Sequence, residues 1–188
     1  MEGYKFPFPD KALALKELSY DPCYKKIDEQ AIEAITERAW NTGEEAAEGI
    51  FKRFNGESDF WKIIAKSKLQ CFRIDKDYVV GNQRYFSDYL SGQGVINLYT
   101  KSVSLWAKEN SLTQEEAENL ILSHEYYHYL ECNEIGLTSK QYQVPMISIG
   151  KLKLGHTGIR ALSEIGAHAF ARKYYEMVRM NLCDTIMK

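Results

Sequence analysis

Residues 113–136, TQEEAENLILSHEYYHYLECNEIG, decide how the chain is read. Thr113 followed by Glu116 is a capping box, which opens a helix by satisfying its first free N–H groups. Ala117, Leu120, Ile121, His124, His128 and Glu131 then recur at helical spacing, and Gly136 supplies a stop after Ile135. The helix carries His124-Glu125-Tyr126-Tyr127-His128, and both histidines are expected on its apolar, inward face. At i and i+4 their Cβ atoms lie roughly 5–6 Å apart, so the imidazoles can converge on one ion. Zinc accepts two such nitrogens and leaves positions for a third ligand and a water. Glu125, next to the first ligand, is placed to take a proton from that water. The pattern therefore points to metal-assisted hydrolysis. The competing reading, two core histidines satisfied by backbone and tyrosine hydroxyls, needs buried partners for both rings.

Two histidines hold catalytic zinc poorly, so a third protein ligand is expected. Downstream candidates are Glu131, Glu134, His156, Glu164, His168 and Glu176. Glu131 lies one turn beyond His128 on the same helix, which suits an orienting or surface role better than ligation. Glu164 is the best choice. It lies in a second helical segment, whose Ala161, Gly166, Ala167 and Ala169 permit close approach of another helix. Together His124, His128 and Glu164 would form a His₂Glu site for one zinc ion. His168, one turn further on, reads as an orienting partner or an alternative ligand.

Composition narrows the setting. At 188 residues, 45% hydrophobic and 27% charged, the chain has the make-up of one soluble globular domain. A net charge of −2 argues against a nucleic-acid-binding surface. The first ten residues, interrupted by Pro7 and Pro9, do not read as a signal peptide, and no stretch reaches a membrane span. Cys23, Cys71, Cys132 and Cys183 are scattered without a CxxC spacing, as free thiols in a reducing cytoplasm would be. The 13 tyrosines suit either a substrate groove or an aromatic core.

Along the chain, Asp10 can cap a helix to Leu18, and residues 27–54 carry a helical period. Thr42-Gly-Glu-Glu45 reads as a second capping box, so a break is expected near Gly43. A short helix follows at Asp59–Lys66. Strands are expected at 69–74, 78–80 and 95–99, a helical piece at 103–108, irregular chain over 139–156, and a last helix from Thr157 to Cys183. The order indicates an α+β fold, with a helical N-terminal region (1–56) joined to a core (57–188) in one domain.

HEYYHYLE with the later SEIGAHAFA resembles the ImmA/IrrE-type zinc metallopeptidases, over roughly residues 69–175. The resemblance implies a zincin-like, minimal gluzincin fold: a small antiparallel or mixed sheet packed on the active-site helix and a C-terminal ligand helix. It also implies zinc at His124, His128 and Glu164, and puts Gly94–Tyr99 at the family's edge strand. His168 stands where that family usually has Asp or Asn, so the same negative charge is not supplied. Family members often cleave or inactivate a transcriptional repressor, which makes a protein or peptide the expected substrate.

The mechanism expected is peptide hydrolysis with Glu125 as general base and then acid. His156, in a Leu-Gly-His-Thr-Gly loop, is a candidate donor to the developing oxyanion, as are Tyr126, Tyr142 and Tyr174. Strand 95–99, if it lies at an exposed edge, can bind extended substrate by backbone pairing. Two other readings stay open: a weakly active or inactive regulatory module on the same scaffold, and a hydrolase of non-peptide substrates.

Overall fold

The computed structural model describes residues 6–149 and 152–186, with backbone alone at 148–149, 152–153 and 182–186. The expected α+β class is observed. Helices α1 (Lys11–Ser19), α2 (Ile32–Arg53) and α3 (Phe60–Lys66) precede strands β1 (Gln70–Ile74), β2 (Tyr78–Val80), β3 (Gln83–Tyr85), β4 (Ser87–Leu90) and β5 (Val95–Tyr99). Then come α4 (Thr100–Glu109), α5 (Gln114–Leu130), the hairpin β6 (Gln143–Ile149) and β7 (Leu152–Gly158), and α6 (Arg160–Ile186). No helix among the described residues is long and apolar enough to cross a membrane.

Local chemistry sets the helix starts. Asp10 and Asp59 accept the N–H groups of Leu13 and Trp61 at 3.1 and 2.9 Å. The Thr113–Glu116 capping box forms in both directions, at 3.2 and 2.8 Å. After Leu130 the helix widens into a π turn over Glu131–Ile135 and stops at Gly136, whose φ is +82°.

The expected break near Gly43 does not occur, and α2 runs through it. Thr42 turns its hydroxyl back to the Arg38 carbonyl at 2.9 Å instead of capping a new helix. Gly43 serves a different purpose: a Cβ there would lie 2.1 Å from the Gly166 carbonyl oxygen of α6. The glycine permits the α2–α6 approach.

The main sheet is mixed, in the order β1-β5-β4, with β1 parallel and β4 antiparallel to β5. Strand 95–99 is therefore central, and β4, which the sequence reading did not separate from its neighbours, is the edge beside α5. Residues 139–156, expected to be irregular or extended, form a short 3₁₀ turn and most of the β6–β7 hairpin; Gly150 lies outside the described residues.

Helix α5 is buried nearly all round. Ile121, Leu122, Tyr126, Tyr127 and Leu130 join Ile96 and Leu98 of the sheet and Phe170 and Tyr174 of α6 in the main core. This settles the use of several tyrosines, with Tyr126, Tyr127 and Tyr174 among the largest fully buried side chains. It also corrects the placement of the histidines. They occupy the less buried side of α5, at 12% and 19% side-chain exposure, rather than its apolar face.

Candidate metal centre

Helix α5 presents His124 and His128 towards Glu164 of α6. The two Nε2 atoms are 3.2 Å apart. Glu164 Oε2 lies 3.2 Å from His124 Nε2, and Oε1 lies 3.7 Å from His128 Nε2. Ligand bonds of about 2.0–2.1 Å in a tetrahedral shell place ligand atoms roughly 3.3 Å from one another. The three groups thus have the spacing that one small ion requires. A second trio, His124, Glu164 and His168, has donor atoms within 4.8 Å of one another. His128 fits better as the third donor, because its Nε2 lies 3.2 Å from that of His124 and 3.7 Å from Glu164 Oε1.

Glu131 fixes the other nitrogen of His128. It is 3% exposed, and its Oε2 accepts the Nδ1 hydrogen of His128 at 3.0 Å. Its Oε1 accepts from the Thr138 N–H and the Ser163 hydroxyl, both at 2.8 Å. A buried carboxylate with this many donors stays ionised, and its bond to Nδ1 turns the Nε2 edge of the His128 ring towards Glu164. Burial opposes ionisation of Glu131, but these hydrogen bonds outweigh it and keep its pKa low. The same contest runs oppositely at His128: burial pulls its pKa down, while the Glu131 bond and the charges of Glu164 and Glu125 hold it up at about 9. Burial would raise the Glu164 carboxyl, but contact with His124 and the nearby His128 and His168 rings keep it well below the usual carboxylate range. Its side chain is nonetheless 49% exposed, so the carboxylate faces both the histidines and open space.

A cleft of about 310 Å³ opens on this cluster, lined by Glu125, His128, Glu131, Ser163 and Glu164, with Tyr89 and Ser91 across from them. Glu125 is 6% exposed and accepts the Ser87 hydroxyl of β4 at 2.6 Å. One carboxylate oxygen is therefore held, beside the two histidines and against the edge strand.

The expected oxyanion donors are not gathered here. His156 is exposed on β7, paired with Pro145, and does not line the cleft. Tyr126 bonds to Ser67 at 2.8 Å and Tyr174 to the Glu57 carbonyl at 2.6 Å, both from within the core. The Tyr142 hydroxyl accepts the Asp28 N–H at 3.3 Å. Donors that do line the cleft are Tyr89, Ser91 and Arg160. Arg160 had a sequence signal, since it precedes Glu164 by one helical turn and so shares its face. Glu134 pairs with Arg53 at 2.7 Å instead of joining the cluster, and Glu176 is exposed. Cys132 lines the cleft as a free thiol. No known protein family, characterised protein or solved structure matches the chain in comparison.

Proposed function

We propose that the chain is a zinc-dependent metallopeptidase of zincin-like, gluzincin type, akin to the ImmA/IrrE-type family. The observation that carries this reading is the convergence of His124, His128 and Glu164 beside the held carboxylate of Glu125. His124, His128 and Glu164 would hold the ion. Bound there, zinc supplies Lewis acidity, polarising a carbonyl and lowering the pKa of a water to about 7. Glu125 receives the proton of the attacking water and returns it to the leaving amine. Ser87 orients Glu125 for this exchange by donating to Oε1.

The edge position of β4 favours a peptide over a small molecule. An extended chain can add to a free strand edge by backbone pairing, which brings its carbonyls past Glu125. Arg160 or Tyr89, on the two sides of the cleft, would serve the developing oxyanion in the role first expected of His156. A regulatory protein such as a transcriptional repressor is the substrate to try first, on the strength of the family resemblance.

Purified protein should contain about one zinc per chain. Glu125→Gln should retain that zinc and lose about 10²–10⁴-fold in hydrolysis of unfolded protein substrates. Zinc without turnover in the wild type would favour the regulatory binding module, and a native, functional protein without metal would sink both.

A further inference from the structure

The two histidines of the centre are supported unequally. His128 has Glu131, but Nδ1 of His124 is buried and has no hydrogen-bond partner among the described residues. A histidine that binds metal through Nε2 carries its proton on Nδ1, and that N–H ordinarily meets a carboxylate, carbonyl or water. The polar ring nearest to His124 on the α6 side is His168, with centroids 5.0 Å apart and planes inclined at 48°. His168 is 13% exposed, and its own Nδ1 lies 3.0 Å from Glu17 Oε2. The Glu17 oxygen, as acceptor, would take the His168 Nδ1 hydrogen and leave Nε2 as a lone-pair acceptor. Phe8 packs on both rings, 5.6 Å from His124 and 5.3 Å from His168, which limits their movement.

We propose that Glu17, acting through His168, is the positioning partner of His124, so that helix α1 completes the metal centre with a Glu17–His168–His124 relay. The inference rests on the zinc reading above. His168 occupies the place of a direct carboxylate and borrows its charge from Glu17, one residue further away. The relay requires His168 Nε2 to meet His124 Nδ1 at about 3 Å between heavy atoms, a contact that rings 5.0 Å apart at their centroids can make. His168 and Glu17 are positioning residues in this arrangement; neither touches substrate.

Zinc affinity, measured by competition with a chromogenic chelator on the full chain, tests this without reference to activity. Glu17→Ala and His168→Phe should each weaken zinc binding about 10–100-fold, and the double variant should be no weaker than the worse single one, because the two act as a unit. Glu17→Gln, which keeps an acceptor but not the charge, should fall between the wild type and Glu17→Ala. Nitrogen-15 spectra of the zinc-loaded wild type should show His168 protonated on Nδ1 alone, and this signature should be lost in Glu17→Ala. If wild type binds zinc and Glu17→Ala binds it equally well, or if the two losses simply add, the relay is wrong and the zinc site stands. If wild type binds no zinc, the metallopeptidase reading falls and takes the relay with it.

Discussion

Helix α6 meets its neighbours in two ways. Towards α2 it offers bare backbone: Gly43 and Gly166 lie so close that a methyl on Gly43 would overlap the Gly166 carbonyl oxygen and the Ala169 methyl. Towards α5 its later turns pack tightly too, Gly166 lying against Tyr127, but its first turn offers Ser163 and Glu164, whose side chains reach Glu131 and the histidines beside a cleft. The apolar contact has no slack, whereas the polar one borders an open cleft of about 310 Å³. A ligand from one helix can be held within a few tenths of an ångström of ligands on another only if its own helix cannot slide. The close-packed back of α6 provides that restraint for its open front.

Breaking the back contact should have the largest effect. Gly43→Ala should destabilise the fold by roughly 3 kcal/mol, the upper end of the usual overpacking range, read as a lower urea midpoint with unchanged slope. A loss below about 0.5 kcal/mol, the range of an ordinary surface change, would show that α2 can move away and that the contact is not a restraint.

On the front, Glu131→Gln removes the charge that orients His128 and should weaken zinc binding about 10–100-fold. Unchanged affinity would separate His128 from its partner.

The same pair predicts a pH dependence. The pKa of His128 is raised by folding to about 9 in the metal-free protein. Its ion pair with Glu131 therefore stabilises the metal-free fold fully below the unfolded value, about 6.5, and is lost as pH rises through about 9. Thermal midpoints of metal-free protein should fall across that window. Zinc must displace the His128 proton, so its affinity should rise with pH over the same interval, by up to tenfold per unit. A flat zinc affinity between pH 7 and 9 would contradict the protonated ring.

Remote from both faces, Arg53→Ala breaks the half-exposed pair with Glu134 and should cost less than about 1 kcal/mol. A larger loss would mean that the π turn at the end of α5 depends on it.

What could be read along the chain was what depends on neighbours in sequence. The caps at Asp10 and Thr113 form as expected, since donor and acceptor are within three residues; Asp59, expected inside a helix, caps it instead. His124 and His128 needed only helical spacing, and Glu164 only the small residues around it. Gly43 was misread because a helical glycine can mark a stop or a crossing, and the choice lies with Gly166, far away in the chain. Strand 95–99, expected at an edge, is central, because the partners on its two sides, β1 and β4, are set by pairing that its own residues do not reveal. The donors failed for a similar reason. A tyrosine beside the motif faces the cleft or the core according to helix rotation, and Tyr126 and Tyr127 turn to the core. Glu17 and Phe8 carried no signal, because nothing in their own segments refers to a residue of α6.

The hydrogen bond from His168 to Glu17 spans 151 positions, and that from the Ala161 N–H at the start of α6 to Asp21 spans 140. During synthesis, Glu17 and Asp21 leave the ribosome long before the residues they bind. The centre thus has no precursor in a partly made chain: His124 and His128 emerge without Glu164, and α1 waits for a helix not yet translated. Contacts of such long separation form late in folding. If the centre binds metal as proposed, loading can follow only after α1 and α6 have met.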